Sequence, residues 1–293
     1  MPELSVLLCV KDSAEMISAA VRSTLRALPR DSQLAVLDDG STDATHDVVT
    51  RIDDSRLTVY RNERPIGPGA ARAQLLAETD SEFVAIMDGD DICLPWRFRT
   101  QRKAIEDADL LFSPIVRFGP RRWNLRPGAP LPIDERAMPL HLLLGCALSH
   151  PTLFARRAAV VNAGGYRDCQ FDDYDLYLRA AAAGSRLRRN SIISVAYRRH
   201  AGQVTAAPDF HTRDHGRSLI ASAFLNFVNA ELGSGDRPES VSGREPSEGW
   251  LWPDGSAARW AVLDREMVRR DLSALQRRVL VRHARVSLGP RPA

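Results

Sequence analysis

The stretch Leu34–Asp43 reads LAVLDDGSTD, and the stretch Phe83–Asp91 reads FVAIMDGDD. Each begins with an apolar run that is too short for a helix and is typical of a buried strand. Each run ends in a cluster of aspartates, so each cluster is expected where a strand leaves the sheet. In open α/β sheets that edge is where ligands bind. Because neighbouring carboxylates repel one another and resist burial, both clusters predict a nearby cation, hydrogen-bond donors or solvent.

The first half of the chain alternates strand and helix patterns, beginning with an apolar strand at 4–10. The run Asp12–Glu15 resembles a capping box and predicts a helix that continues to about Leu28. Helical patterns separate the remaining predicted strands, at 34–37, 57–60, 83–87 and 110–116. This alternation predicts an α/β fold with a doubly wound, mostly parallel sheet.

A second lobe is expected after the last of these strands. Residues 117–139 are dense in Pro and Arg and lack periodicity, which is typical of a long loop over the sheet that is functional or mobile. A strand pattern at 149–154 and a helix pattern at 173–183 follow. Residues 233–249 are rich in Gly, Ser, Pro and Glu and predict a linker. Helical periodicity at 257–286 predicts a helical C-terminal tail.

Composition limits the class of protein. The formal net charge of +3 over 293 residues is too small to predict a nucleic-acid partner. No apolar stretch approaches the ~20 residues needed to span a bilayer, and the N-terminus shows no signal-peptide pattern. The four cysteines are widely scattered, without the CxxC spacing of a zinc site. We therefore expect a cytoplasmic protein, and the sequence leaves its oligomeric state open.

Arginines are concentrated in two stretches, 186–199 and 259–291. Solvated helix faces with interspersed acids are the favoured interpretation of the second stretch. Peripheral contact of the tail with an anionic membrane surface is the alternative.

Several short motifs occur in one order along residues 4–202. They are Val36–Asp43, Gly67 with Ala71-Arg72, Asp88–Asp91, His150-Pro151, Gly164–Asp168, Asp172–Arg179 and Tyr197–His200. In that order they resemble the motifs of the inverting family-2 glycosyltransferases, whose fold is the GT-A type of α/β fold. The resemblance implies transfer of a sugar from a nucleotide-sugar donor, most simply a UDP-sugar. The acceptor would be a hydroxyl of a glycan, a lipid-linked sugar or a small metabolite.

The resemblance also assigns roles to the segments of the chain. Residues 1–116 would form the nucleotide-sugar-binding half of the GT-A domain. Residues 117–205 would form an adjoining acceptor-side lobe that carries the catalytic base. Residues 206–293 would be a helical C-terminal extension containing the linker.

The run Asp88-Gly89-Asp90 matches the D-x-D motif of this family. The resemblance implies that Asp90 binds a Mn²⁺ or Mg²⁺ ion directly and that Asp88 faces the ribose or the metal's waters. Both ions prefer oxygen ligands. On the residues alone, an acidic region before a helix is an equal alternative, with Asp91 capping a helix that begins near Pro95.

The earlier pair, Asp38 and Asp39, is expected to read the base. A carboxylate can accept a hydrogen bond from the imide N–H of uracil, and in the family an aspartate pair at this place contacts the base. Asp39 is the first candidate and Asp38 the second. Val10, at the end of the first strand, would line the base pocket. The alternative for the residues after the pair is a Gly40 turn followed by a helix cap.

Three further residues follow from the resemblance. Arg72, behind glycines at a helix start, would direct positive potential toward a diphosphate; its alternative is an exposed helix arginine. His200 would approach the metal or the diphosphate, against a purely structural role. Asp172-Asp173 stands where the family has an E-D pair, so the general base maps to Asp173. The alternative there is a pair of acids favoured by a helix N-terminus.

Aromatic residues and rival functions complete the predictions. Tyr166 and Trp123 either stack on a sugar or base or lie in the core, and His150 either shapes the acceptor side or forms a turn. A sugar nucleotidyltransferase is disfavoured because residues 11–15 lack the Gly-rich loop expected after the first strand. A non-catalytic nucleotide-sugar-binding protein is the other alternative.

Overall fold

The structure is a computed structural model that describes residues 2–119, 126–127, 130–203, 215–232, 256–288 and 291. Its strands are β1 Leu4–Val10, β2 Ser32–Asp39, β3 Leu57–Asn62, β4 Phe83–Ile86, β5 Ile92–Cys93, β6 Leu110–Phe112, β7 Ile115–Phe118, β8 Arg126–Pro127, β9 Phe154–Arg156, β10 Leu187–Arg189 and β11 Val195–Arg198. Its α-helices are α1 Ile17–Ala27, α2 Thr45–Thr50, α3 Pro68–Glu78, α4 Arg97–Ala104, α5 Met138–Leu143, α6 Arg157–Asn162, α7 Asp172–Ala182, α8 Arg217–Leu232, α9 Ser256–Arg269 and α10 Ala274–Leu288.

The central sheet has seven strands in the order β10-β6-β9-β4-β1-β2-β3. All neighbours are parallel except β9, which is antiparallel to both β4 and β6. The α/β fold with a mostly parallel sheet is therefore confirmed. A second sheet, in the order β5-β11-β7-β8, was not predicted from the sequence.

Both faces of the central sheet are covered, which explains why its strands are apolar throughout. Along β1, Leu7 belongs to one buried cluster, while Val6 and Leu8 belong to another. The first cluster packs under α3 and α7, and the second packs under α1 and α4. A strand buried on both faces loses the alternation of polar and apolar residues that marks a half-exposed strand.

The strand order places the acidic clusters around the end of β1. β2 lies on one side of β1 and β4 on the other, and Val10 is in register with Asp38. The direction of strand addition reverses between β1 and β4, which makes this a switch point where a crevice opens at the carboxyl edge. Gly89 allows close packing there, because a Cβ at this position would lie 2.8 Å from Cγ2 of Val10.

The strand predicted at 110–116 is wrong as a single element. The chain forms β6 and then β7, which belong to different sheets. Pro114 separates them, because proline lacks a backbone N–H and restricts the residue before it. The break carries the chain from the central sheet to the smaller one, where β7 pairs with β11.

The strand predicted at 149–154 is also wrong in its first part. His150–Thr152 forms a short 3₁₀ turn, and the strand begins only at Phe154. Pro151 occupies the early part of that turn, where a missing N–H is tolerated. The turn buries His150 beside α7 instead of leaving it on an extended edge.

The predicted capping box at Asp12–Glu15 does not form. Asp12 has a left-handed backbone with φ of 48°, and its carboxylate accepts a hydrogen bond from the N–H of Thr42 at 2.8 Å. Helix α1 consequently begins only at Ile17. The side chain that the local pattern assigns to a cap instead ties the end of β1 to the loop after β2.

The segments 1–116 and 117–205 share one core. Strands β9 and β10 come from the second segment but complete the same sheet as β1 and β4. The helical tail consists of α8, α9 and α10, whose apolar residues join the core cluster under α7. The linker predicted at 233–249, Trp123 and part of the loop predicted at 117–139 lie outside the described residues.

Candidate active site

Asp39 organises the loop after β3. Its carboxylate accepts hydrogen bonds from the side chain of Asn62 at 2.9 Å and from the backbone N–H groups of Ile66 at 2.9 Å and Gly67 at 3.0 Å. Gly67 has a φ of 91°, a conformation that suits glycine. This carboxylate therefore holds the entry to α3 in place, whether or not it also contacts a base.

The side chain of Asp38 is almost completely buried. Oδ1 accepts a hydrogen bond from the N–H of Ser41 at 3.0 Å. Oδ2 has no hydrogen-bond partner among the described residues, although Nε of Arg61 lies 3.5 Å away. Asp39 and Asp38 therefore differ: both carboxylate oxygens of Asp39 bind the neighbouring loop, whereas Oδ2 of Asp38 accepts no hydrogen bond from the described residues.

Three aspartates converge after β4. Asp88, Asp90 and Asp91 each offer a carboxylate oxygen, and these oxygens lie within 4.8 Å of one another. Burial, reinforced by Asp90 and Asp172 and opposed by Arg72, raises the pKa of Asp88 to about 6. Burial, reinforced by Asp88 and Asp90, raises the pKa of Asp91 to about 9. Such crowding of like charges is what a bound cation would relieve.

The chain brings His200 to this acidic cluster. Nε2 of His200 lies 2.9 Å from Oδ2 of Asp90. Arg198 on β11 holds the arrangement, because its backbone N–H donates to Oδ1 of Asp91 at 2.7 Å and its Nε donates to the carbonyl of Asp90 at 2.7 Å. The structure therefore places His200, which the resemblance assigns to the metal or the diphosphate, beside Asp90.

The residues present fit a divalent cation. Oδ2 of Asp91 is buried and has no hydrogen-bond partner among the described residues, so a donor or a cation is missing from its surroundings. Three carboxylates with an adjacent imidazole form the oxygen-rich set that Mg²⁺ and Mn²⁺ accept. Asp88, Asp90 and His200 could hold such an ion, with Asp91 behind them.

Arg72 connects the two halves of the site. Its Nη1 donates to Oδ2 of Asp172 at 2.7 Å, and its Nη2 lies 3.7 Å from Oδ1 of Asp88. Although burial opposes the charge, Asp172 and Asp88 hold the pKa of this guanidinium well above its usual range. Arg72 is thus a fixed positive charge between the aspartates after β4 and the start of α7, not the exposed helix arginine of the alternative interpretation.

A glycine makes this bridge possible. A Cβ at Gly69 would lie 2.2 Å from the carbonyl oxygen of Arg167, so only glycine allows α3 to approach the loop before α7. That approach places Arg72, three residues later on α3, beside Asp172. The glycines before Arg72 indicate the start of a helix. The sequence does not indicate that Arg72 binds Asp172, because the two residues are 100 positions apart.

Asp173 lies next to Asp172 at the start of α7. Burial, reinforced by the carboxylate of Asp172, raises the pKa of Asp173 to about 6. Its Oδ1 accepts a hydrogen bond from the N–H of Tyr174 at 2.7 Å. A carboxylate whose pKa is near neutrality is suited to general acid–base chemistry. Asp175, by contrast, is fully buried between Arg167 and Arg179 and serves the structure.

The His150 and Cys9 side chains do not supply rival catalytic groups. Burial and the charge of Arg72 hold the pKa of His150 well below its usual range, so its ring is neutral. Its Nδ1 lies 2.6 Å from the hydroxyl of Tyr177. Burial raises the pKa of the Cys9 thiol to about 12, which keeps it protonated and unsuited to nucleophilic attack.

Sequence reasoning missed Arg198 and the role of Asp172. Arg198 was only part of an Arg-rich strand, yet it holds both Asp90 and Asp91. Its position two residues before His200 was the available signal. The resemblance maps the general base to Asp173 and gives Asp172 no separate role, and nothing in the local sequence indicates that Asp172 would bind Arg72.

Comparison with known proteins identifies the class. Residues 5–163 match the family described as Glycosyl transferase family 2. Because that match covers more than half of the chain, the protein belongs to glycosyltransferase family 2 and is a glycosyltransferase. One relative is the UDP-Glc:alpha-D-GlcNAc-diphosphoundecaprenol beta-1,3-glucosyltransferase WfaP of Escherichia coli. It is 26% identical over 205 residues, which cover 69% of this chain and 80% of that protein.

Solved structures confirm the GT-A fold. S. aureus TarS 1-349 in complex with UDP-GlcNAc aligns with a TM-score of 0.62 and 19% identity, over 80% of this chain and 73% of that chain. The mannosyltransferase PcManGT from Pyrobaculum calidifontis, in complex with GDP-Man and Mn2+, aligns with a TM-score of 0.52 and 15% identity. That alignment covers 97% of this chain and 86% of the other. At these identities the likeness concerns the fold.

Proposed function

We propose that the protein is a metal-dependent, inverting glycosyltransferase that moves a sugar from a UDP-sugar to a hydroxyl acceptor. The observation that carries this proposal is the bridge through Arg72, which connects the acidic cluster at Asp88 with the pair Asp172-Asp173. The bridge thereby brings the carboxylates proposed for the donor side together with those proposed for the acceptor side. WfaP, whose name states a UDP-Glc donor, and TarS with bound UDP-GlcNAc support this donor class.

The residues have distinct tasks in the proposed reaction. Asp39, and Asp38 with its free oxygen, would bind the base, with Val10 beside them. Asp88 would face the ribose, and Arg72 would neutralise the diphosphate as it leaves. Asp173 would accept the proton of the acceptor hydroxyl as that oxygen attacks the anomeric carbon from the face opposite the leaving group. Direct displacement of this kind inverts the anomeric configuration.

Asp90, Asp88 and His200 would hold the divalent ion. When bound, such an ion supplies Lewis-acid stabilisation of the diphosphate. The Mn2+ in PcManGT supports this class of metal. Arg198 would keep this site in place, because it binds the backbone carbonyl of Asp90 and the side chain of Asp91.

A thermal-shift screen tests the donor class. We expect UDP-sugars with Mn²⁺ to raise Tm more than the same nucleotides without metal, because ligand that binds only the folded state stabilises it by mass action. Product analysis with the best donor should then show one sugar added with inverted configuration. A sugar nucleotidyltransferase would instead consume a nucleoside triphosphate and a sugar phosphate. Donor binding without transfer to any acceptor would favour the non-catalytic alternative.

The proposed acceptor is a lipid-linked sugar at a membrane surface. The name of WfaP states an acceptor linked through a diphosphate to undecaprenol. None of the helices among the described residues is long and apolar enough to cross a bilayer. Among the described residues, α10 offers a surface for peripheral contact.

Helix α10 has an exposed face of suitable chemistry. Its sequence, ALQRRVLVRHARVSL, contains no acidic residue. Leu275 is 44% exposed and Val286 is 83% exposed. Spacings of three or four residues place both on the same face as three exposed arginines, namely Arg278, Arg282 and Arg285. Arginines near an anionic leaflet contribute roughly 1 kcal/mol each, and interleaved aliphatic side chains are typical of interfacial helices.

Co-sedimentation with vesicles tests this surface. We expect the protein to bind vesicles containing anionic phospholipid, and replacement of the three α10 arginines by glutamine to reduce the bound fraction severalfold. The matched control replaces three exposed arginines of the N-terminal half by glutamine, Arg26, Arg30 and Arg51. Equal loss of binding in both triple variants would reject α10 as the contact face.

A further inference from the structure

Tyr166 carries a buried hydroxyl for which the described residues offer no hydrogen-bond partner. The side chain is only 6% exposed. A hydroxyl that is removed from water without a partner costs free energy, and replacement by an apolar group of the same shape would avoid that cost. Such a group in a folded protein therefore requires an explanation.

The position of Tyr166 is built rigidly. The preceding turn needs left-handed backbone at both Gly164 and Gly165, with φ of 85° and 63°. Arg179 on α7 clamps this turn by donating to the carbonyl of Gly165 at 2.6 Å, and it is itself paired with Asp175. The hydroxyl is thus held in place by the same helix that carries the catalytic carboxylates.

The ring of Tyr166 is also fixed from the other side. It packs edge-to-face on the imidazole of His150, with ring centroids 5.6 Å apart. Nδ1 of His150 lies 2.6 Å from the hydroxyl of Tyr177, which orients that imidazole. The Tyr166 side chain has little freedom to turn its hydroxyl toward solvent, so its partner must come to it or move into reach.

The loop that carries Tyr166 lies beside Asp172, since a Cβ at Gly69 would lie 2.2 Å from the carbonyl oxygen of Arg167, the next residue, and 3.2 Å from Cβ of Asp172. Burial raises the pKa of the Tyr166 hydroxyl well above its usual range, with Arg72 opposing this rise and Asp172 and Asp173 reinforcing it. Asp172 has its Oδ2 occupied by Nη1 of Arg72 at 2.7 Å. In this arrangement Arg72 is the hydrogen-bond donor to Asp172. The hydroxyl of Tyr166 has no acceptor among the described residues.

Donor binding changes this balance. A diphosphate carries more negative charge than one carboxylate and offers several acceptor oxygens, so it competes with Asp172 for Arg72. If Arg72 turns toward the diphosphate, Asp172 becomes a buried carboxylate without a donor. That state is costly, and it would disturb Asp173, the adjacent residue on α7.

We propose that Tyr166 is a positioning residue for the catalytic carboxylates: its hydroxyl replaces Arg72 as the hydrogen-bond donor to Asp172 when a donor diphosphate engages Arg72. The inference rests on the proposed function and adds a step to it, an exchange of partners at Asp172. The exchange keeps Asp172 charged and the start of α7 in place while Asp173 acts as the base. Because the hydroxyl of Tyr166 has no other partner among the described residues, it is available for this exchange.

The test is Tyr166→Phe, measured in the full chain with the best donor and Mn²⁺. We expect Tm of the ligand-free protein to rise by about 2 °C or more, because an unsatisfied hydroxyl is removed without loss of packing. We expect kcat to fall about tenfold or more, the size of a lost hydrogen bond to a charged group, while KM for the donor changes little. The acid limb of kcat should move to higher pH, because a hydrogen bond to the charged carboxylate lowers the pKa of the coupled pair.

Tyr174→Phe is the matched control. The hydroxyl of Tyr174 is buried and donates to the carbonyl of Leu142 at 2.5 Å. Its loss should lower Tm and leave the pH profile unchanged, the reverse of the pattern for Tyr166→Phe. In an Asp172→Ala background, which removes the acceptor, Tyr166→Phe should cause no further fall in kcat, because the two residues act as one unit.

Two results would overturn the inference. One is an unchanged kcat in Tyr166→Phe, which would make the hydroxyl a packing imperfection. The other is an additive effect of Tyr166→Phe and Asp172→Ala on kcat. Failure of the proposed function looks different, because the wild-type protein would then show no sugar transfer while the Tm responses of the tyrosine variants could still be measured.

Discussion

Asp173→Asn is expected to lower kcat by about 10²- to 10⁴-fold, the usual contribution of a general base. Asparagine keeps the shape of the side chain and removes its basicity, so the donor-induced rise in Tm should persist. The start of α7, where Arg72 binds Asp172 at 2.7 Å, remains intact in this variant. Steady-state kinetics and a thermal shift with donor and Mn²⁺ together separate catalysis from binding.

The pH dependence of the wild-type enzyme follows from the same group. Burial, reinforced by Asp172, raises the pKa of Asp173 to about 6. A base must be unprotonated to accept a proton, so kcat/KM, which reports the free enzyme, should be level above that pH and fall about tenfold per unit below it. The exposed Asp80, whose side chain is 73% accessible, provides the control: Asp80→Asn should leave both kcat and the acid limb unchanged. Full activity of Asp173→Asn would reject Asp173 as the base.

Asp90→Ala is expected to abolish metal-dependent transfer, with a loss of about a thousandfold or more. Lewis-acid stabilisation by a bound ion is worth several kcal/mol, and each 1.4 kcal/mol changes a rate about tenfold. The variant should also lose the additional Tm rise that Mn²⁺ gives with a donor. Nε2 of His200 lies 2.9 Å from Oδ2 of Asp90. Asp90→Ala therefore removes one proposed metal ligand and leaves the other, His200, without its neighbour.

Asp80→Ala serves as the control for Asp90→Ala. Asp80 lies between α3 and β4, at the edge of the sheet opposite the acidic cluster. Its variant should keep the metal-dependent shift and the activity of the wild type. A metal-dependent activity that survives in Asp90→Ala would reject Asp90 as a ligand, and an enzyme equally active with and without divalent metal would reject the metal role altogether.

Local patterns predicted which helices and strands form better than they predicted where those helices and strands begin and end. The apolar run before Asp38 could only be a buried strand, and its α/β context followed from the alternation of helices and strands. Prolines set the limits that the patterns missed: Pro114 divides the strand predicted at 110–116, and Pro151 turns the chain before β9. Asp12 shows the opposite failure, because its carboxylate binds Thr42 at 2.8 Å, 30 residues away, instead of capping α1.

The candidate site was predictable where its residues are contiguous. Asp88 and Asp90 follow one strand, and Asp172 and Asp173 begin one helix, so their neighbourhood is a local property of the chain. The ordered motifs also led to His200. The arrangement of these groups around Arg72 could not be predicted, since contacts over 100 or more residues depend on how the strands are ordered in the sheet.

By itself the sequence determined the α/β class, the membership of the motifs in one enzyme family and the chemical type of each cluster. These properties follow from short-range periodicity and from which side chains can bear charge. Only the tertiary structure decided that Arg72 joins Asp88 to Asp172 and that Arg198 holds both Asp90 and Asp91. It also leaves the buried hydroxyl of Tyr166 without a hydrogen-bond partner among the described residues. The physical reason is the packing of α3 against the loop before α7, which Gly69 permits and no local pattern encodes.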